Sequence, residues 1–432
     1  MRDRFAVHNR FNGKISNFLE QDPHLLTLSQ LTYQHSPDWW KNIPADAHGI
    51  YILTGGRQVG KSTSVKLWIA HCLKKKIFTP DHILYLPCDE IFDAAEFSKI
   101  IRDFLKTVEK KPFLLVIDEV TFVKNWERVI KSLADEGYFT KGLCLLTGSD
   151  TLILKEAAMS FPGRRGTNDQ TDFHVRPLNF SEYVTLVHKK GAPSHAVLSS
   201  LLNDYLQCGG YLRAINDFAK HGEVQPATYQ TYEQWIRGDF LKRGKNEKYL
   251  LSILHALFTV GVSQISYSAL TQKIGNMSKE TCSEYCELLE RMDVMFDLQA
   301  FDQNKKLGFP KKARKFHFAD PFIQRTIYHW LCSEGYLSER DFEAGLVEAC
   351  VASHCHRFAK TFYFKGQGEV DVIYVNRQTV HAVEVKWSET IRSSDLKTLK
   401  DFKNAVIVTR SEHTGTIDGI SAMPVFQFLL QL

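Results

Sequence analysis

GIYILTGGRQVGKSTS, residues 49–64, joins an apolar run to a glycine-rich turn and then to a lysine and a serine that open a helical stretch. Gly49-Ile50-Tyr51-Ile52-Leu53 reads as a buried strand. Gly55, Gly56, Arg57, Gln58, Val59, Gly60, Lys61 and Ser62 then fit the spacing GxxxxGKS, with Thr63 following. Glycines let backbone N–H groups wrap an anion at a helix N-terminus, a lysine so placed reaches the β- and γ-phosphates of a nucleotide, and a serine hydroxyl ligates magnesium. The stretch predicts a phosphate-binding loop with ATP and Mg2+ as cofactors.

A phosphate loop of this kind needs a carboxylate on a second strand, and FLLVIDEV supplies it. Asp118 ends the buried run, placed to hold magnesium through water, and Glu119 is the general base that polarises the attacking water. The strand LCLLTGS ends in Thr147 and Ser149, one of which can orient that water. Arg164 and Arg165, in a glycine-flanked loop, are candidate fingers reaching a neighbouring subunit's γ-phosphate, and Arg213, after CGGYL, is the candidate lid arginine. Between these points IYILT, ILYLP, FLLVID, LCLLTGS and FHVRPL alternate with helical stretches, which predicts an α/β fold with a parallel sheet covered on both faces.

Composition narrows the class without naming a partner. With 44% hydrophobic and 24% charged residues over 432 positions, the chain has the balance of an ordinary globular protein of several domains. A net charge of +5 is too small to mark a nucleic-acid surface by itself, so any such surface must come from local clustering. No apolar run is long enough for a membrane span or a signal peptide, and nine scattered cysteines fit reduced thiols, so a cytoplasmic location is expected. Cys350, His354, Cys355 and His356 crowd into EACVASHCHRF; a helix with small buried thiols accounts for them better than zinc, because no second ligand pair follows.

Beyond residue 180 the strands stop and helical patterns take over as far as about 245. Three further helical stretches then lead into two strands around a basic turn, the outline of a winged helix. In NKKLGFPKKARK the cations Lys305, Lys306, Lys311, Lys312, Arg314 and Lys315 occur with no acid among them, and a wing so charged can straddle DNA phosphates. The last part alternates in short strands: TFYFKG, EVDVIYVN, HAVEVKW and NAVIVTR. There Glu384 and Lys386 lie two apart and so share a face, a hairpin register can bring Asp371 beside them, and Glu348 on the preceding helix can add a third acid. Two or three carboxylates can hold magnesium, and Lys386 can stabilise the charge of a transition state. This set resembles the PD-(D/E)xK nuclease core, with Val370 in place of proline before Asp371.

GGRQVGKST, VIDEV, LLTGS, PLNFSEY, CGGYL and KFHFADP together resemble the prokaryotic AAA+-type P-loop ATPases of the archaeal-type, DUF4143-like kind. The resemblance covers most of the chain from about residue 46. It implies a P-loop parallel-sheet AAA+ core at 46–180 after a lead-in at 1–45, a helical lid at 181–245, a winged helix at 246–332 and a restriction-endonuclease-like α/β domain at 336–432. It implies an ATP-hydrolysing oligomer, such as a hexamer, that acts on duplex or branched DNA, its C-terminal domain binding or cleaving it. The competing expectation is a nucleotide-controlled signalling or defence switch that binds a protein partner and carries an inactive C-terminal domain. A small-molecule kinase is disfavoured, because the Asp118-Glu119 pair suits attack by water.

Overall fold

The computed structural model describes residues 4–13, 15–108, 111–337, 342–387, 396–412 and 414–432. They fold as two units, residues 1–176 and 177–432. Among the described residues no helix is long and apolar enough to cross a membrane.

In the first unit β1 (Gly49–Thr54), β2 (Ile83–Pro87), β3 (Leu114–Asp118), β4 (Leu143–Gly148) and β5 (Asp172–His174) form one parallel sheet. The strand order is β2-β3-β4-β1-β5. Every residue of β1, β3 and β4 is buried, as unbroken apolar runs require of a sheet covered on both faces. Alternation along the strands divides the core. Ile50, Ile52, Leu115 and Ile117 cluster with Phe97, Ile101, Phe104, Ile130 and Leu133 of the helices Ala94–Val108 and Trp126–Asp135. Tyr51, Leu53, Leu114 and Val116 cluster instead with Val65, Trp68 and Ile69 of the helix Lys61–Lys74.

The N-terminal segment is part of this unit's interior. Phe5 belongs to the first cluster and Phe11, Phe18 and Leu25 to the second. Lys66, on the helix that follows the phosphate loop, is fully buried and ion-paired at 3.0 Å with Asp22, equally buried. The same ammonium donates to the carbonyl of His8 at 2.7 Å and lies 3.6 Å from the centre of the Tyr85 ring. Burial pushes the Lys66 ammonium down, and Asp22 opposes that shift.

The second unit is helical from Phe180 to Arg291, with helices at Phe180–Val187, His195–Cys208, Leu212–His221, Pro226–Lys242, Glu247–Val260, Tyr267–Ile274 and Lys279–Arg291. Its sheet follows in β6 (Met295–Asp302), β7 (Leu307–Phe318), β8 (Lys360–Lys365), β9 (Glu369–Asn376), β10 (Thr379–Lys386), β11 (Ala405–Thr409), β12 (Gly415–Ile417) and β13 (Ile420–Pro424), ordered β12-β13-β11-β10-β9-β8-β6-β7. The β6–β7 hairpin joins the rest through a parallel pairing of Ala300 with Tyr363. The basic hairpin and the later strands therefore share one mixed sheet, which runs across the junction expected near 332–336.

Two local features of this unit bear on function. The β6–β7 register passes from Gln299 opposite Arg314 to Ala300 opposite Phe309, so residues 310–313 loop out of β7. The helix Glu343–Phe358 packs against β7, β8, β9 and β10 and is buried from Leu346 to Cys355. In that helix His354 has both ring nitrogens engaged: Nε2 accepts the Phe180 N–H at 2.9 Å and Nδ1 lies 2.8 Å from the carbonyl of Cys350. His356 stacks on Phe296 at 4.6 Å. The cysteine–histidine crowd is a packed helix.

Candidate active site

β1 delivers the phosphate loop at the C-terminal edge of the parallel sheet. Gly55 has φ +147°, and a Cβ there would lie 2.3 Å from the carbonyl oxygen of Val175, so only glycine fits this bend. Gln58 and Gly60 are left-handed, and Gly60 starts the helix Lys61–Lys74 with no side chain capping it. The helix end thus keeps its N–H groups for an anion. Lys61, 5% exposed, donates to the carbonyls of Gly55 and Gly56 at 2.9 Å each and lies 3.5 Å from Glu119. Its charge is held inside the loop.

The acid pair is held by hydroxyls from three neighbouring elements. Asp118, at the end of β3, accepts from Ser62 at 2.8 Å and from the hydroxyls of Tyr85 on β2 and Thr147 on β4. Thr147 also accepts the Glu119 N–H at 3.1 Å. Glu119 is left-handed, with φ +51°, a conformation that turns its side chain off the strand line. One of its carboxylate oxygens accepts both the backbone N–H and the hydroxyl of Ser149, at 3.0 and 3.1 Å. Burial, then the Asp118 charge, pushes the Tyr85 hydroxyl well above its ordinary range, so it remains a donor.

These oxygens fit magnesium and the loop fits a triphosphate. Ser62 and Asp118 are already in contact, a serine hydroxyl and a carboxylate being the hard oxygen donors this ion takes. When bound, the ion supplies positive charge to the phosphate oxygens. Of the chain's own residues, Lys61 and the helix N-terminus are placed to bind anionic oxygens, and Ser149 fixes the Glu119 carboxylate that would take a proton from water. Thr147 and Ser149 are both engaged with the acid pair, Thr147 with the Asp118 carboxylate and the Glu119 N–H, and Ser149 with the Glu119 carboxylate. Tyr85 was not legible as a site residue; the available signal is a tyrosine inside an otherwise aliphatic strand beside the acid strand.

The arginines lie elsewhere. Arg165 donates to the carbonyls of Ile50 and Thr171 at 2.9 and 3.0 Å and pairs with Asp172, and Arg164 pairs with Asp135 at 2.6 Å. Ile50 is near the start of β1, roughly 13 Å of strand from the phosphate loop. Arg213 is exposed on the first turn of the helix Leu212–His221.

In the second unit Asp371, Glu384, Lys386 and Glu348 meet. Lys386 is 2.8 Å from Glu384, and Asp371 accepts the Val385 N–H at 2.9 Å, so β9 and β10 place these side chains together as the alternation predicted. A further residue enters between the acids. Lys315 is expected on the wing surface facing DNA, but it is 1% exposed, with its ammonium 3.0 Å from Glu348, 2.8 Å from Glu369 and 3.3 Å from Asp371. Strand alternation sets its direction: Arg314 turns to Asp297 on one face of β7 and Lys315 to the acids on the other. Lys305, Lys306, Lys311 and Lys312 are exposed, and Arg314 is half-buried.

As arranged, the acids do not fit a metal. Among the described residues no group of three or more His, Cys, Asp or Glu is positioned to hold one. Burial, with repulsion from Asp371, pushes Glu348 up to about 8 and Glu384 up to about 7. Burial alone would lower Lys315, but Glu348, Asp371 and Glu369 together raise it.

A phosphate loop on one strand, an acid pair on another and an intervening strand that contributes hydroxyls define the P-loop ATPase class. Residues 47–184 match the AAA domain family, residues 199–330 a domain of unknown function (DUF8612), and residues 344–428 a domain of unknown function (DUF4143). The chain is thus similar to AAA domains over residues 47–184. It is 24% identical over 355 residues to the uncharacterized protein MJ1637 of Methanocaldococcus jannaschii, covering 74% of this chain and 70% of that one. It is 26% identical over 239 residues to MJ1544 of the same organism, covering 53% and 51%. Among solved structures it is similar to the Walker-type ATPase PABY2304 of Pyrococcus abyssi, with a TM-score of 0.44 and 14% identity over 65% of this chain and 91% of that one. It is also similar to the ORC2 protein of Aeropyrum pernix in ADPNP and ADP complexes, with a TM-score of 0.39 and 12% identity over 68% and 90%.

Proposed function

We propose that the protein is an oligomeric, ATP-hydrolysing machine that acts on DNA. The observation that carries the reading is the joint fixing of Asp118 and Glu119: one acid sits against the loop serine at 2.8 Å, and the other is aimed by Ser149 and held near Lys61. That is an arrangement for hydrolysis rather than for nucleotide storage. For the DNA, the support is an exposed cationic hairpin after three helices, with Lys305 and Lys306 in its turn and Lys311 and Lys312 in the looped-out segment. In this reading residues 181–245 are a lid and 246–332 a winged helix that grips the phosphate backbone. The C-terminal part at 336–432 supports DNA binding without cutting, since its acids surround a lysine. Arg164 or Arg165 serves a neighbouring subunit if the loop opens on assembly.

The test is ATP turnover by the full chain, by Lys61→Ala and by Glu119→Gln, with and without linear duplex and four-way-junction DNA. Turnover that DNA stimulates and both substitutions abolish supports the machine. Turnover indifferent to every DNA, with no salt-dependent binding, rejects it and favours a nucleotide switch with a protein partner.

A further inference from the structure

The acids of the second unit outnumber the cations that meet them. Glu348, Glu369, Asp371 and Glu384 face Lys315 and Lys386, with the exposed Lys365 reaching Glu369 from outside at 3.1 Å. Glu384 is 5% exposed and its Oε2 has no hydrogen-bond partner among the described residues. A cluster this buried needs compensating positive charge, because each unpaired carboxylate loses its hydration without return.

Lys315 meets that need in a particular way. An ammonium carries three donors, and three carboxylates from two elements accept them: Glu348 from the helix Glu343–Phe358, and Glu369 and Asp371 from one face of β9, with Lys315 itself arriving from β7. The oxygens stand 2.8–3.3 Å from the nitrogen, the spacing of charge-assisted hydrogen bonds, whereas magnesium draws its oxygens to roughly 2.1 Å. The lysine is also held from behind. Tyr363, whose ring centre is 6.0 Å from the ammonium, donates its hydroxyl to the carbonyl of Ala313 at the end of the looped-out segment, and Gln264 donates to the second oxygen of Glu369 at 3.2 Å.

We propose that Lys315 is the resident cation of this cluster, tethered by β7 in the place a divalent ion would take, and that the cluster is a latent divalent-cation site open only when the lysine is absent. The assignment is independent of whether the protein acts on DNA or turns over ATP.

Manganese alone is the probe, titrated by calorimetry into the nucleotide-free full chain, Asp371→Asn, Lys315→Met, and Lys315→Met combined with Asp371→Asn. Lys315→Met should bind manganese tighter than the wild type by on the order of ten-fold or more, because a unit charge has left the site. Adding Asp371→Asn should abolish that gain, and in the wild type Asp371→Asn should change nothing. The proposal is overturned if the wild type already binds manganese through Asp371, or if folded Lys315→Met gains no site. Should Lys315→Met not fold in plain buffer, refolding with manganese decides: recovery of the folded state supports the assignment, and its failure overturns it.

Discussion

Ser149 grips one carboxylate oxygen of Glu119 twice, through its backbone N–H at 3.0 Å and its hydroxyl at 3.1 Å. The backbone half of that grip survives substitution by alanine. Ser149→Ala should therefore lower kcat for ATP hydrolysis by roughly three- to thirty-fold, the effect of loosening one of two hydrogen bonds, and leave KM nearly unchanged. Glu119→Gln should lose more than about a hundred-fold, as removal of a general base does. Equal losses in both variants under steady-state assay would refute the division of roles.

The Lys66–Asp22 pair is sealed from solvent on both sides. Asp22→Ala leaves an ammonium buried without its carboxylate and should cost about 3–5 kcal/mol, whereas the double change Lys66→Met with Asp22→Leu should cost far less. Urea unfolding of the three proteins measures the difference, and a single variant as stable as the wild type would contradict the pairing.

Acid should weaken the second unit through His354. Its Nε2 must accept the Phe180 N–H, so a proton there meets another donor, and burial followed by the Arg357 charge pushes the ring down to about 3. Between the unfolded value near 6.5 and that folded value, the unfolded chain binds the proton and the native one does not, so stability falls as pH falls. The loss is absent above about pH 6.5 and reaches roughly 2 kcal/mol at pH 5. His354→Gln, which can donate to one carbonyl and accept one N–H without titrating, should remove about one proton's worth of slope from the urea midpoint measured against pH.

The hairpin cations should divide by exposure. Removing Lys311 or Lys312 should reduce the salt slope of duplex binding, log Kd against log salt, by about 0.9 for each phosphate left without its cation. Lys315→Met should leave that slope unchanged, because its charge is spent inside the protein. Fluorescence anisotropy at several salt concentrations reads both results, and a slope that fell with Lys315 would place its ammonium at the surface.

The phosphate loop and Asp118-Glu119 were legible because each is written in consecutive residues: a strand run, a fixed glycine spacing and an acid at a strand end. The parallel sheet was legible for the same reason, since the strands of its interior are unbroken apolar runs. Lys315 was not. It stands in a run of cations whose exposed and buried members differ only by where β7 breaks register, and that break depends on pairing with β6. Glu369 was within reach, since it is two residues before Asp371 and so on the same face of β9. Tyr85 and Lys66 acquire their roles from partners dozens of residues away, which no local pattern records. The domain plan drawn from the sequence separates the hairpin from the later strands, while the backbone joins them in one sheet.

The ion pair of Asp22 and Lys66 reaches the phosphate site by one step, since the Tyr85 ring beneath Lys66 carries the hydroxyl that donates to Asp118. Asp22 is therefore linked electrically to Asp118. A proteolytic nick that freed Asp22 would leave the loop sequence intact and the buried Lys66 ammonium without its carboxylate, one tyrosine ring away from Asp118. Shortened forms of the chain that start at β1 should retain every signature residue and still lose the partner of Lys66, so the functional boundary of the nucleotide site lies upstream of the motif that announces it.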